Sequence, residues 1–307
     1  LILGLTSVGM FFFLMFPVSL SASHFRYGTM SWDYPWDNGT ISLKMQTGWR
    51  TAYSTSNYGT VGTISTMGGS INWGDGSTQS VQMKVLSVDS NEGSSLMEIG
   101  SNSTGTWEKG VYHTYTDNGT YIVSWSSTAR IDDIENMADD SSWRLETKVN
   151  IGGSYASNVS PVSAVPPIVQ IQDNTTFNYQ VVATDANSDP LGYRWGTYKE
   201  FVDNTSNTTY SHPTGMTLST SGLVTWNVQD SGGQATSVND MWLSFIMAED
   251  LDNVSGDNKS YIPLDFFFKI ASASNDPPAI IGIDNTTQTV SIATTNTFTF
   301  TSTDDSG

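Results

Sequence analysis

Hydrophobic and polar residues alternate in short runs along most of the chain after residue 22. Runs at residues 81–85, 121–125 and 298–300 place apolar side chains at every second position, which is the period of a half-buried β-strand. Glycines and clusters of Asn-Gly, Asp-Gly and serine separate these runs and mark turns. The pattern therefore predicts an all-β protein built from tandem immunoglobulin-like β-sandwich domains.

A repeated segment divides the chain. Residues 166–176 read Pro-Pro-Ile-Val-Gln-Ile-Gln-Asp-Asn-Thr-Thr, and residues 277–287 read Pro-Pro-Ala-Ile-Ile-Gly-Ile-Asp-Asn-Thr-Thr. A period of about 110 residues is the length of one sandwich domain, and each Pro-Pro pair fits a stiff linker that opens a domain. We predict a first domain over residues 23–160, a second over 166–276, and the first strands of an incomplete third repeat over 277–307.

The first 22 residues carry no charge and contain an apolar run that ends in small residues. Such a run, closed by Pro17 and followed by Ser21 and Ala22, is typical of the apolar core and cleavage site of a signal peptide. We therefore predict a signal peptide over residues 1–22 and a secreted, extracellular or cell-surface protein. The run is also just long enough to cross a bilayer as a helix, which is the alternative.

The charge of the chain limits its partners and its chemistry. Thirty acidic and 12 basic residues give a formal net charge of −18, which repels a phosphate backbone, so we predict no nucleic-acid partner. The chain has no cysteine, which excludes disulfides and thiolate metal ligands. Its three histidines are scattered, and the common hydrolase, metalloprotease and phosphate-loop motifs are absent. Paired carboxylates such as Asp132 and Asp133 could serve a glycosidase, but acidic loops are commoner, so we predict no enzyme.

Two motifs of the first domain carry a family resemblance. Residues 73–76 read Trp-Gly-Asp-Gly, residues 113–115 read His-Thr-Tyr, and residues 119–123 read Gly-Thr-Tyr-Ile-Val. Together they resemble the signature of PKD-type immunoglobulin-like domains, with a long insertion over residues 78–112 as the departure. The segment Ser-His-Phe-Arg-Tyr-Gly at residues 23–28 resembles a His-Phe-Arg-x-Gly mature N-terminus of extracellular multidomain proteins.

The second domain resembles a different family. Residues 183–191 read Ala-Thr-Asp-Ala-Asn-Ser-Asp-Pro-Leu, residues 213–218 read Pro-Thr-Gly-Met-Thr-Leu, and residues 222–226 read Gly-Leu-Val-Thr-Trp. With Ala-Glu-Asp-Leu-Asp at residues 248–252, they resemble the cadherin-like, dystroglycan-type immunoglobulin fold. The resemblance implies an extracellular role and calcium at the domain junctions.

Calcium takes six to eight oxygen ligands, which a cadherin-type junction draws from two domains and their linker. Carboxylates and an amide are distributed in this way near the domain ends: Asp185, Asp189, Asp250, Asp252, Asn275, Asp276, Asp304 and Asp305. We therefore predict that these residues are ligands of Ca²⁺. The alternative is that they form turns by hydrogen bonding to their own backbone.

Asn-x-Ser/Thr sequons are about twice as frequent as chance predicts, and several lie in predicted turns where a glycan can point to solvent. The asparagines are Asn38, Asn102, Asn118, Asn158, Asn174, Asn204, Asn207, Asn253, Asn258 and Asn285. We predict that several of them carry N-linked glycans.

These features favour a secreted structural glycoprotein that assembles into an extracellular fibre or surface layer. Two strands over residues 277–307 cannot bury a sandwich core alone, so we expect a longer continuation of the chain or head-to-tail strand donation to another copy. The alternative is a calcium-dependent cell-surface adhesin or glycan-binding protein. The aromatic row of Trp32, Tyr34 and Trp36 either stacks on sugar rings or forms one buried face of a strand, and the second is commoner.

Overall fold

The computed structural model describes residues 24–36, 38–52, 58–138, 141–173, 175–202, 210–228, 236–272, 279–281 and 301–303. The predicted signal peptide over residues 1–22 lies outside this part of the chain. Within it, no helix is both long enough and apolar enough to cross a membrane. We call residues 24–152 the first region, residues 153–161 the connector and residues 162–272 the second region.

Strands of the first region follow one another through short turns. They are β1 (Phe25–Trp36), β2 (Thr40–Arg50), β3 (Ile64–Thr66), β4 (Ile71–Asn72), β5 (Thr78–Gln79), β6 (Gln82–Asp89), β7 (Ser94–Ser101), β8 (Glu108–Lys109), β9 (Val111–Thr114), β10 (Gly119–Ser127) and β11 (Trp143–Ile151). A short 3₁₀ turn over Gly153–Tyr155 opens the connector.

The second region is also built almost entirely from strands. They are β12 (Val162–Ser163), β13 (Ile168–Gln172), β14 (Thr176–Gln180), β15 (Ala183–Thr184), β16 (Leu191–Trp195), β17 (Thr217–Leu218), β18 (Leu223–Asn227), β19 (Met241–Leu251) and β20 (Asn258–Ala271). One helical turn, α1 (Tyr198–Phe201), follows β16. These elements confirm the prediction of an all-β sandwich fold.

Each region buries its own aromatic core. In the first region, the rings of Phe25 and Trp143 stack with centroids 4.1 Å apart, and Trp125 meets Trp143 edge to face. In the second region, Trp226 of β18 packs against Trp242 of β19 between two sheets. Val123 and Trp125 enter this core as the alternation over residues 121–125 predicts, while Ser124 between them is buried as well, so burial along this strand does not itself alternate.

Strand β20 joins the two regions through one sheet. Along one edge it pairs antiparallel with β19. Along the other edge, Tyr261 lies opposite Lys148 of β11, residues 264–265 lie opposite β1, and the C-terminal end pairs parallel with β13. Pro263, which has no N–H to donate, stands between the positions paired with β11 and β1. The two regions are therefore continuous through backbone hydrogen bonds.

Burial on both faces explains the composition of β20. Phe266 and Phe268 pack into the core of the second region, whereas Phe267 points the opposite way into a third apolar cluster. That cluster lies between the regions and contains Ile134 from the first and Phe245 from the second. A strand buried on both faces has a continuous apolar run instead of an alternating one.

A buried ion pair crosses the same joint. Arg130 of the first region donates two hydrogen bonds of 2.6 and 2.8 Å to the carboxylate of Asp265 on β20, and both side chains are 0% exposed. Gly28 of β1 lies opposite Asp265. A Cβ at residue 28 would lie 2.4 Å from Leu145, so glycine allows β1 and β20 to pack against β11.

Two further strands lie in the predicted third repeat. They are β21 (Ala279–Ile281) and β22 (Thr301–Thr303), which pair antiparallel with each other. Within the described residues, neither of them pairs with a strand of the two regions.

Candidate functional site: a carboxylate cluster beside the connector

Two elements bring three acidic side chains together at the end of the β19–β20 hairpin. Asp250 lies near the end of β19, and Asp185 and Asp189 lie in the loop between β15 and β16. The loop folds back on itself because the N–H of Asp189 donates to the carboxylate of Asp185 at 3.0 Å. Ser188, between them, has a φ of 64°, which a tight loop reversal requires.

The ligand oxygens of Asp185, Asp189 and Asp250 lie within 4.8 Å of one another. One basic side chain, Lys259 of β20, contacts two of them. Its ammonium hydrogen bonds to the Oδ2 of Asp189 and lies 3.5 Å from the Oδ1 of Asp250. Three carboxylates therefore share one ammonium in the described structure, and we call these four residues the carboxylate cluster.

Asn158 of the connector adds an amide to the cluster. Its Nδ2 donates to the Oδ2 of Asp250 at 2.6 Å, and its side chain is buried, with the residue 4% exposed. The hydroxyl of Ser260 donates to the same oxygen at 3.2 Å. Asp250 itself is fully buried, so this carboxylate depends on protein groups for its partners.

Several oxygens of the cluster have no hydrogen-bond donor. These buried atoms are the Oδ2 of Asp185 and the Oδ1 of Asn158, and the Oδ1 of Asp250 has only the 3.5 Å contact with the ammonium of Lys259. Buried acceptors without donors are rare, because leaving one unsatisfied costs about 1–3 kcal/mol. The arrangement offers acceptor oxygens in excess of donors.

The pKa values reflect this imbalance. Burial raises the pKa of Asp250, assisted by the charges of Asp185 and Asp189, against the opposing effect of Asn158 and Lys259. Burial alone would lower the pKa of Lys259, but the hydrogen bond to Asp189 and the charge of Asp250 outweigh it and raise that pKa. The lysine is therefore charged and held by the acidic residues.

The donor set fits a hard divalent cation. Calcium prefers carboxylate and amide oxygens, and Asp185, Asp189 and Asp250 supply carboxylate oxygens within 4.8 Å of one another, with the amide of Asn158 in contact with Asp250. The buried oxygens without donors are compatible with this donor set. These residues would hold the ion, whose charge would neutralise the excess of carboxylates.

The cluster is tied to both regions through the connector. The loop residue Asn187 accepts a hydrogen bond from the N–H of Val159 at 3.0 Å and donates one to the carbonyl of Ser157 at 3.2 Å. One residue further on, Ser160 exchanges hydrogen bonds with the backbone of Trp32 on β1. A change in the cluster can thus reach β1 of the first region.

The other predicted calcium ligands have different surroundings. Asp252 accepts hydrogen bonds from the N–H groups of Val254 and Ser255 at 3.0 and 2.7 Å, which lower its pKa. This is the turn-forming role that was the alternative for these residues, and Asp252 is not part of the cluster. The remaining predicted ligands lie outside the described residues: Asn275, Asp276, Asp304 and Asp305.

The predicted glycosylation sites differ in exposure. The exposed asparagines are Asn38, Asn118 and Asn253, and the half-buried ones are Asn102 and Asn258. Four lie outside the described residues: Asn174, Asn204, Asn207 and Asn285. Asn158 alone among those described is buried, and the nitrogen that would carry a glycan donates to Asp250.

Sequence reasoning missed two members of the site. Asn158 was predicted as a glycosylation site, and Lys259 was not singled out. The sequence near Lys259 contains no metal-ligand spacing, and Asn158 and Asp250 are 92 residues apart. The signal in the sequence is a lysine at the end of the acidic segment 248–259, which indicates an ion pair with one of the neighbouring carboxylates.

The residues of the PKD-like motif form a second cluster. The ring of His113 stacks on Trp73 with centroids 4.5 Å apart, and its Nε2 lies 2.7 Å from the Oδ2 of Asp75. The hydroxyl of Tyr115 donates to the carbonyl of Trp73 at 2.9 Å, and its ring stacks on Tyr121. These contacts join the hairpin at residues 73–77 to β9 and β10, so their role in the structure is packing.

The aromatic row of β1 is partly internal. Trp32 is buried in the core, and its indole N–H donates to the carbonyl of Lys148 at 2.9 Å. Tyr34 is half-buried and its hydroxyl accepts a hydrogen bond from the N–H of Gly39. The buried-face interpretation holds for Trp32, which is not available to a sugar.

The fold and the carboxylate cluster together define an all-β sandwich protein with a candidate cation site. Residues 26–152 match the family described as Integrin beta-like protein A-E, N-terminal. This segment coincides closely with the first region. The chain is thus similar to the N-terminal part of the integrin beta-like proteins.

Individual relatives extend the similarity beyond the first region. Integrin beta-like protein B of Dictyostelium discoideum is 30% identical over 219 residues, which cover 68% of this chain and 10% of the relative. Integrin beta-like protein C of the same organism is 31% identical over 213 residues, which cover 66% of this chain and 10% of the relative. The chain therefore spans about a tenth of the length of the curated relatives that it matches.

Proposed function

We propose that this chain acts at the cell surface or outside the cell in adhesion. The similarity of residues 26–152 to the N-terminal part of the integrin beta-like proteins carries this proposal. The relatives have adhesion-type names and not the names of enzymes, so we keep the prediction that the protein has no catalytic activity. The apolar, uncharged start of the sequence supports the same location.

An adhesion assay with coated beads tests the proposal. Beads that carry the purified chain should attach to cells, or to one another, more strongly than beads that carry the heat-denatured chain. Beads that stay dispersed and unattached at every calcium concentration would contradict an adhesive role.

We further propose that the carboxylate cluster binds Ca²⁺, as in the calcium-dependent adhesin that the sequence offered as an alternative. The support is the excess of carboxylates over ammonium groups and the buried oxygens without donors. An ion bound there would hold the loop of Asp185 and Asp189, the β19–β20 hairpin and the connector together. Calcium would then stabilise the packing of this loop, the hairpin and the connector.

Two matched variants test this site. Asp250→Asn keeps the shape of the side chain but removes a buried charge of the cluster, so it should abolish the rise in melting temperature that calcium causes. Asp252→Asn changes a carboxylate two residues away that forms a turn, so calcium should stabilise this variant as it does the unmodified chain. Equal responses of both variants would refute the assignment to the cluster.

A fibre or surface layer is the second candidate. The support is that β21 and β22 form a two-stranded sheet, which is marginal on its own in water. A continuing chain or a second copy would complete it, and Phe298 and Phe300 on one side of the predicted strand would add apolar contact. Deleting residues 277–307 should leave folded monomers that no longer polymerise, and fibres formed by the deletion variant would exclude strand donation.

Glycosylation follows the exposure of the sequons. We expect glycans at the exposed asparagines Asn38, Asn118 and Asn253, and none at the buried Asn158. Mass spectrometry of the secreted chain before and after glycosidase treatment locates them. An intact mass equal to that of the bare polypeptide would contradict the glycoprotein proposal, and a glycan on Asn158 would contradict the role of its amide in the cluster.

A further inference from the structure

The ammonium of Lys259 contacts the same carboxylates that a cation bound in the cluster would contact. We propose that Lys259 is a built-in counter-ion that competes with Ca²⁺, so that the cluster alternates between a lysine-held and a calcium-held state. This inference rests on the proposed calcium site and adds its regulation. It begins from the contacts of the lysine with Asp189 and Asp250.

One lysine is not enough to satisfy the cluster. The cluster holds three carboxylates and a single ammonium, which contacts Asp189 and Asp250 but for which no contact with Asp185 is seen in the described structure, so negative groups outnumber positive ones by two. Asn158 is an observation independent of these charges, because its buried amide is directed at Asp250 and its Oδ1 has no donor. A divalent ion would supply the missing positive charge and contact such an oxygen.

Ca²⁺ and the ammonium of Lys259 compete for the same carboxylate oxygens. Lys259 is 6% exposed, so its charge acts on the cluster at low effective dielectric and little water screens it from a bound ion. An ion that contacts Asp189 and Asp250 takes the oxygens that hold the ammonium. Binding of calcium must therefore weaken or release the contacts of Lys259.

The released ammonium can reach solvent. Lys259 is the second residue of β20 (Asn258–Ala271) and directly follows the turn at residues 252–257. This turn is exposed, with Val254 at its tip 96% accessible. An ammonium displaced by an ion can therefore move from the interior of the cluster toward the surface at this turn.

Lys259 would affect both the affinity for calcium and the stability of the fold without calcium. Without calcium, Lys259 holds Asp189 and Asp250 together, so the hairpin and the loop keep their packing. With calcium, the same oxygens hold the ion and the lysine becomes accessible. The affinity for calcium is thus lower than the carboxylates alone would give, and the module stays folded when calcium is scarce.

Replacing the lysine tests the competition. Calcium chloride titrated into the full chain by calorimetry should bind Lys259→Met about tenfold more tightly than the unmodified chain. In a chelator, Lys259→Met should melt at a lower temperature than the unmodified chain, and calcium should restore it. Lys269→Met is the matched control on the same strand, since Lys269 pairs with Glu92 and should leave calcium binding unchanged.

The outcomes separate this inference from the calcium proposal. If the unmodified chain and Lys259→Met bind calcium equally, the competition is wrong while the calcium site stands. If only the variant binds calcium, the competition is correct and the lysine excludes the ion from the unmodified chain. If neither binds, both ideas are wrong, and the adhesion assay remains a separate test.

Chemical labelling of the unmodified chain tests the same competition without relying on a variant that must fold. Acetylation of lysine amines followed by mass spectrometry should label Lys259 slowly in chelator, because it is buried and ion-paired. Labelling of Lys259 should rise several-fold in calcium, whereas labelling of Lys269 should not change. Unchanged or reduced labelling of Lys259 in calcium overturns the proposal.

Discussion

Strand β20 carries two buried charge clusters that differ in their balance. Asp265, near the joint with β1, faces Arg130 in a one-to-one pair with two parallel hydrogen bonds. Lys259, near the start of the strand, faces three carboxylates and leaves oxygens without donors. Both clusters connect the first region or the connector to the second region.

The difference teaches what each cluster can do. In the matched pair one positive and one negative charge offset each other, and burial makes it a structural element whose two members depend on each other. An unmatched cluster can accept another positive charge, so it can respond to the solution outside. We therefore expect mutations at Arg130 and Asp265 to change stability alone, and changes in the carboxylate cluster to alter the response to calcium.

Breaking the matched pair should produce the largest effect. Asp265→Ala leaves the guanidinium of Arg130 buried without its carboxylate, which should cost about 3–5 kcal/mol in the free energy of unfolding. Urea denaturation followed by tryptophan fluorescence measures it. The double variant Arg130→Met with Asp265→Leu should recover most of this loss, because apolar groups of similar volume replace both charges. A double variant as unstable as the single one would show that packing, and not charge pairing, dominates this joint.

The close approach of the strands at the joint is tested next. Gly28→Ala should destabilise the chain by about 1–3 kcal/mol, because the added Cβ would overlap the buried side chain of Leu145. The control is Gly68→Ala, where a Cβ meets no atom within 4 Å. Equal stability of the two variants in thermal denaturation would mean that β1 can move away from β11 at little cost.

Lowering the pH should have a smaller effect on the stability of the chain, through Asp75. Burial opposes the charge of Asp75, but hydrogen bonds from Ser77 and the contact with His113 outweigh it and lower the pKa of Asp75 to about 2. Because this value lies below that of an unfolded aspartate, the stabilisation is complete above about pH 4 and is lost as the pH falls toward 2. The melting temperature of Asp75→Asn should therefore fall less steeply between pH 4 and pH 2 than that of the unmodified chain. Parallel curves would show that Asp75 makes no net contribution.

The smallest effect belongs to the most exposed charge contact of β20. Lys269 donates two hydrogen bonds of 2.8 Å to Glu92 in the turn between β6 and β7. Both side chains remain partly exposed, so Lys269→Met should cost only about 0.2–1 kcal/mol, and high salt should reduce the difference. A loss comparable to that of Asp265→Ala would place the main electrostatic contact between the regions here.

Local patterns in the sequence were sufficient for the class of fold and for several contacts. Alternation at residues 121–125 predicted a strand with one buried face, and the turn at residues 73–77 is where the Asp-Gly signal placed it. The sequence also predicts Asp185, Asp189 and Asp250 as calcium ligands, and the fold brings their oxygens within 4.8 Å of one another, while calcium binding itself stays a prediction. The strand and turn predictions succeeded because side-chain period and turn chemistry depend on neighbours in the chain.

The tertiary structure alone decided how the two regions meet. The sequence predicts sandwich domains in tandem, and only the structure shows that β20 pairs with strands on both sides of the connector. Arg130 and Asp265 are 135 residues apart, and Asn158 and Asp250 are 92 apart. No local period records such pairings, because they arise when apolar faces from distant segments pack and the buried charges must find partners. The sequence by itself therefore determined the strands, turns and candidate ligands. The packed fold determined which buried charge forms a one-to-one ion pair and which carboxylates form a cluster that can accept a cation.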